Sequence, residues 1–297
     1  MKIVANGLQI EVEDSGVGDG AAARPAVLLI MGLGMQLVAW PPELVQGLVD
    51  AGYRVIRHDN RDVGLSQRMA HLGKPNLLWA GLQHKLGFAP RPPYTLTDMA
   101  ADALGVLDVL GVQQAHVVGM SMGGMIAQRL ALTAPDRVLS LTSVMSSSSA
   151  PGLPQARPEV MAALMGRPSG RDRQAVVDHY VRLLRVIGSP GFVTPEDELR
   201  RRIAESTDRG FYPVGTLRQM LAVMADSGRA AQLARISART LVFHGKDDPL
   251  LPYACGEDTA RRIPGARLVG VPGMGHDLPL PVVDRLLAAL LPHLKPA

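Results

Sequence analysis

A chain of 297 residues, 47% apolar and 20% charged, has the length and apolar content to bury a large core, which excludes an intrinsically disordered protein. Its 31 basic residues exceed its 27 acidic residues only slightly and interleave with them, so nucleic acid is not expected as a partner. The single cysteine, Cys255, cannot form an internal disulfide, and residues 1–13 alternate apolar and polar where a secretory signal needs an unbroken apolar core. No apolar run approaches the roughly 18 residues of a membrane span, so the expectation is a cytoplasmic protein with no membrane partner.

Short runs rich in Val, Ile and Leu, bounded by turn residues and separated by helical patterns, predict buried parallel strands joined by crossover helices. Residues 2–4 and 8–12 predict an antiparallel hairpin at the sheet edge, and 26–30 and 54–58 the first two buried strands. Met99, Ala103, Val106, Leu107 and Leu110 recur at helical spacing, with Thr97 placed to cap the start and Gly111 to end the turn. A strand over 115–120, a helix over 122–134 stopped by Pro135, and a strand over 138–144 follow.

From residue 150 to 236 the strand pattern gives way to helical stretches such as 175–187 and 217–224, separated by Pro and Gly. Strands resume at 240–244 and 267–271, and a last apolar helix over 281–291 precedes Pro292. The reading is an α/β fold: a mostly parallel sheet flanked by helices, with residues 1–149 and 237–297 as core and 150–236 as an inserted helical cap. Such a cap belongs over the carboxyl ends of the strands, where open α/β sheets place their ligands. Within it, Glu196, Asp197 and Glu198 ahead of Arg200, Arg201 and Arg202 predict a solvated helix face.

Gly119-Met120-Ser121-Met122-Gly123 matches G-x-S-x-G, in which a serine sits on a sharp turn between a strand and a helix with its hydroxyl raised above the sheet. An apolar strand ends at Gly119 and an apolar helix starts at Met122, the context that motif requires. Side chains at 119 or 123 would collide with the neighbouring strand and helix in so tight a bend. A serine hydroxyl needs a base, and His276, in Gly273-Met274-Gly275-His276-Asp277 just after the last predicted strand, is the candidate among eight histidines. His58, His116 and His244 fall in or at the ends of strands and read as satisfied structural imidazoles.

The carboxylate that orients the base is Asp248 or Asp247, in His244-Gly245-Lys246-Asp247-Asp248-Pro249. Asp248 is favoured because the following proline holds it extended, while Asp247 fits a solvated turn. The backbone N–H groups of Met122, after the nucleophile, and Leu33, in Met31-Gly32-Leu33-Gly34, are the expected oxyanion donors. Met31, Gly32, Met35, Trp40, Met120 and Met274 are the expected substrate pocket. With Met122, Met125 and the insert's Met161, Met165, Met220 and Met224, they suggest a pliable apolar surface. Asp59 and Arg61 read as a charged pair bracing a loop, and Cys255 as a buried small hydrophobe.

In these features the chain resembles the α/β-hydrolase superfamily, and within it the bacterial serine esterase branch of aclacinomycin methylesterase-like proteins. The resemblance rests on residues 28–34 with Trp40-Pro41, on 57–66, on 117–124, on 244–249 and on 273–276. It implies a capped core, no cofactor and no metal, and the roles given above to Ser121, Asp248 and His276. The expected activity is hydrolysis of small to medium hydrophobic carboxylic esters through an acyl-enzyme, on a small-molecule ester, by a monomer or homo-oligomer. Thioesters, lactones, perhydrolysis, carbon–carbon hydrolysis and non-hydrolytic ligand reception remain alternatives on the same fold. Relatives often carry His-Gly where this chain has Met31-Gly32, so a particular specificity does not transfer.

Overall fold

A computed structural model describes residues 1–16, 24–86, 88, 90–170 and 172–295. The strands are β1 (Lys2–Ala5), β2 (Leu8–Asp14), β3 (Ala26–Ile30), β4 (Arg54–His58), β5 (Ala115–Met120), β6 (Val138–Val144), β7 (Arg239–Gly245) and β8 (Arg267–Val271). They form one sheet in the order β1-β2-β4-β3-β5-β6-β7-β8. β1 pairs antiparallel with β2 and β2 with β4, while every pairing from β4 through β8 is parallel.

The helices ahead of β6 are α1 (Pro42–Asp50), α2 (Leu77–Lys85), α3 (Leu96–Val109) and α4 (Met122–Thr133). Between β6 and β7 lie α5 (Pro158–Met165), α6 (Arg173–Ile187), α7 (Glu196–Gly210), α8 (Pro213–Ala225) and the single turn α9 (Arg229–Gln232). After them come α10 (Tyr253–Arg262) and α11 (Leu280–Leu294). Alternation along the strands divides the core in two. Leu28 and Ile30 of β3 pack with α3 and α4, whereas Val27 and Leu29 face α1 and α11. All of β3 is buried, because a parallel strand is covered on both faces, and this is why it reads as an unbroken apolar run.

The start of α3 and the end of α11 differ from the sequence expectation. The cap of α3 is Thr95, whose hydroxyl accepts from Asp98 N while Asp98 accepts from Thr95 N, and Thr97 lies inside the helix. The T-x-x-D spacing of a capping box, one position outside the apolar pattern, was the signal for it. α11 runs through Pro292 to Leu294, with Leu290 and Leu294 fully buried, so packing holds the last turn despite the missing N–H.

The helices between β6 and β7 carry a small core of their own, Val177 and Val181 of α6 against Ile203 of α7. Along α7, Arg200, Arg201 and Arg202 pair with Glu196, Glu205 and Glu198 one turn away; Arg201 is exposed, but Arg200, Arg202 and Glu198 are half-buried, so the run is only in part the solvated face expected. Among the described residues no helix is long and apolar enough to cross a membrane. α2 packs on α8 and turns Leu78 (84% exposed) and Trp79 (58% exposed) outward.

His58 departs from the satisfied imidazole expected: it is fully buried at the end of β4 and neither ring nitrogen has a hydrogen-bond partner. Burial lowers its pKa from 6.5 to about 4, so it stays neutral in the fold. In the unfolded chain it takes a proton below its ordinary pKa. The stability it permits at neutral pH is therefore lost as pH falls from 6.5 to about 4, and the loss levels off below that. His58→Leu is expected to reduce by about 2 to 3 kcal/mol the loss in urea-unfolding free energy between pH 7 and pH 4.5. An unchanged loss would show that the ring is not held neutral.

Candidate active site

Ser121 stands between β5 and α4 with φ 56° and ψ −122°, a backbone conformation that L-residues rarely adopt. Its N–H donates to Val144 O (2.9 Å), and its carbonyl accepts from Ser146 Oγ (2.7 Å) and Gly124 N (2.9 Å), so the strain is held from three directions. The flanking glycines are required by contact. A Cβ at Gly119 would overlap the carbonyl of Gly123, and one at Gly123 would overlap that of Ile30 and lie 2.7 Å from Met31 O.

His276, in the loop after β8, brings Nε2 to 2.9 Å from Ser121 Oγ and Nδ1 to 2.7 Å from Asp248 Oδ2. Asp248 is buried and its other oxygen accepts from Leu250 N and Leu251 N, both at 2.9 Å. A carboxylate so held accepts from Nδ1–H, which leaves Nε2 with its lone pair toward the serine hydroxyl. Asp247 turns away and accepts from Gly273 N at 2.7 Å. Of the two adjacent aspartates, only Asp248 meets the imidazole.

Behind Asp248 lies His244, fully buried, with Nε2 2.7 Å from Leu251 O and 3.6 Å from Asp248 Oδ2. The bond to a carbonyl places the proton on Nε2, and burial pushes the ring's pKa down, so it adds no charge beside Asp248.

The loop after β3 closes over Ser121 from the opposite side: a Cβ on Gly32 would sit 3.2 Å from Ser121 Cβ. Among the described residues neither Leu33 N nor Met122 N donates to a protein acceptor, so both N–H groups are free to face a ligand oxygen. The loop is tied down by residues of the helices between β6 and β7. Gln219 of α8 accepts from Gly34 N (2.9 Å), and Gln36 donates to Ser206 O (2.6 Å) and Gly210 O (2.9 Å) of α7. Arg209 joins Gln36 Oε1 (2.7 Å) to Asp59 Oδ2 (2.6 Å).

Asp59 and Arg61 do not pair with each other. Asp59 holds Leu37 N and Leu65 N as well as Arg209, while Arg61 makes a two-pronged bond to Asp102 of α3. Both brace loops, but their charged partners, Arg209 and Asp102, lie far away in sequence. Asp62, at φ 70°, meets a fully buried Arg218 of α8 through two hydrogen bonds of 2.8 Å and also accepts from Tyr94 OH and Met69 N. No local pattern marks any of these partners.

A cleft of about 620 Å³ lies between the carboxyl ends of the strands and α6, α7 and α8. Met31, Met35, Trp40, Met120 and His276 line it, and Arg157, Arg185, Glu198 and Arg202 stand along it too, so its wall is less uniformly apolar than expected. Gly32 packs on Ser121 without lining it. Met274 is a correction: it is fully buried among the core side chains that face α1 and α11, and its carbonyl accepts from Asp247 N. Met122 and Met125 are likewise core, on the α3 and α4 side, and Met161 and Met165 face solvent.

The geometry of a strained serine, a histidine and a buried aspartate at the end of a parallel sheet has a counterpart in sequence. A family model described as the alpha/beta hydrolase fold matches residues 25–281. The chain belongs to the alpha/beta hydrolase family. This hydrolase is 35% identical over 309 residues to rhodomycin D methylesterase DauP of Streptomyces sp. (strain C5), covering 97% of this chain and 96% of that one. It is 31% identical over 263 residues to a putative carbamate hydrolase, RutD, of Variovorax paradoxus, covering 86% of each. Among solved structures, the meta-cleavage product hydrolase from Pseudomonas fluorescens IP01 superposes with a TM-score of 0.74 over 99% of this chain and 96% of that one. At 21% identity it speaks for the fold alone.

Proposed function

We propose that the protein is a carboxylic ester hydrolase that works through an acyl-enzyme on Ser121. The observation that carries this reading is the unbroken hydrogen-bond chain from Asp248 through His276 to Ser121. As Oγ attacks the ester carbonyl, its proton passes to His276 Nε2, and Asp248 stabilises the imidazolium. The N–H groups of Leu33 and Met122 hold the tetrahedral oxyanion, each worth about 2.7 to 4 kcal/mol of barrier. His276 returns the proton to the departing alkoxide, and the alcohol leaves. Water then gives a proton to the same nitrogen as it attacks the acyl carbonyl, releasing the acid and restoring the serine hydroxyl.

The helices from residue 150 to 236 act as the cap of this site. The methylesterases among the relatives support a small alcohol half, and a cleft of about 620 Å³ supports a much larger acid half lying along Met31, Met35, Trp40 and Met120.

The test pairs two measurements: intact-mass detection of a fluorophosphonate adduct on Ser121, and rates for methyl, ethyl and butyl esters of one bulky aromatic acid. The expected results are a single adduct and fastest turnover of the methyl ester. Absence of both adduct and turnover would overturn the reading, and a preference for the butyl ester would overturn the small-alcohol assignment.

A further inference from the structure

Residues 273–277 place two glycines, Gly273 and Gly275, just ahead of His276, a segment with little conformational constraint of its own. From the sheet side, Gly273 N donates to Asp247 Oδ2 (2.7 Å), Asp247 N to Met274 O (3.1 Å), and Asp248 Oδ2 holds the His276 ring at Nδ1 (2.7 Å). The backbone of the second half is held by the end of α6 and the segment that follows it. His276 N donates to Ile187 O (2.7 Å), and Gly275 N donates to Ser189 Oγ (2.9 Å). Ser189 N (2.9 Å) and Ser189 Oγ (2.5 Å) both donate to Asp277 Oδ1, and Gly191 N donates to Gly273 O (2.9 Å).

The two segments approach so closely that glycines face each other. A Cβ on Gly275 would overlap the carbonyl of Gly188, and one on Gly191 would sit 2.9 Å from Gly273 Cα. Ser189 is buried, and its hydroxyl both donates and accepts.

We propose that Ser189, with Asp277 as its counterpart, is a positioning residue for His276, so that the segment after α6 fixes the backbone that carries the general base while Asp248 holds its ring. The proposal rests on the acyl-enzyme reading only for its kinetic consequence. Gly188, Ser189 and Pro190 also line the cleft, so a substrate pressing on this segment presses on the mount of the base. The Asp277 carboxyl is pushed up by burial, and the two Ser189 donors hold it back.

The test compares Ser189→Ala, Asp277→Ala, Asp277→Asn and the double alanine variant with wild type. Steady-state hydrolysis of p-nitrophenyl acetate across pH is run beside amide hydrogen exchange of residues 273–277. Ser189→Ala and Asp277→Ala are expected to lower kcat by about tenfold to a hundredfold with KM within about twofold. Both should shift the acid limb of kcat/KM and speed exchange in the loop. The double variant should be no worse than the poorer single variant, because the two groups act as one device. Asp277→Asn keeps an acceptor for both serine donors and should recover part of the loss seen in Asp277→Ala.

Wild-type kcat and wild-type exchange in Ser189→Ala would overturn the proposal, as would a loss confined to KM. If wild type hydrolyses no ester, the acyl-enzyme reading fails on its own, and hydrogen exchange still decides whether Ser189 mounts the loop.

Discussion

Ser121→Ala is expected to lower kcat/KM for an activated ester by roughly four to six orders of magnitude. In a serine–histidine–aspartate unit, loss of the nucleophile leaves only the catalysis of the oxyanion donors and binding. The backbone supplies a control in the same position. Because Ser121 is held at φ 56°, Ser121→Gly should abolish turnover equally while relieving about 1 to 3 kcal/mol of strain, less roughly 0.5 to 1 kcal/mol for glycine's greater unfolded-state freedom. Its Tm should therefore match or exceed that of wild type. Ser121→Ala retaining a tenth of wild-type activity would remove the serine from the chemistry, and a Ser121→Gly protein that melts well below wild type would contradict the strain.

The second large effect is on stability. Asp62 and Arg218 are both fully buried and joined by two hydrogen bonds, one on the loop after β4 and the other on α8. Arg218→Ala leaves the carboxylate buried without its cation, at a cost of about 3 to 5 kcal/mol, which corresponds to a Tm lower by on the order of 10 °C. Replacing both partners, as Asp62→Asn with Arg218→Met, should cost less than Arg218→Ala alone because no charge is stranded. Calorimetry of the three proteins tests this, and a double variant as unstable as the single one would assign the loss to packing.

Fold and site were not equally legible in the sequence. The parallel strands were plain because burial on both faces makes them read as continuous apolar runs, and β3, β4, β5, β6 and β8 begin and end where those runs do. The α/β architecture expected from them is found, and the alpha/beta hydrolase fold that the resemblance implied is the one the family model matches. Ser121, Asp248 and His276 could be singled out because each follows a strand end, and a parallel sheet gathers its strand ends along one rim.

What stayed hidden was whatever depends on facing or on distant partners. Met274 sits next to the histidine loop in sequence, yet one position decides whether a side chain meets the cleft or the core, and it meets the core. Gln36, Arg209, Arg218 and Ser189 bind groups 86 or more residues away, with no periodicity to announce them.

The two tryptophans of the chain stand in opposite surroundings: Trp40 is fully buried in the wall of the cleft, and Trp79 faces water on α2. Their fluorescence should therefore separate into a blue emitter and a red one, with acrylamide extinguishing mainly the red. What survives the quencher is light from the cleft itself, a native optical gauge of occupancy that requires no added label.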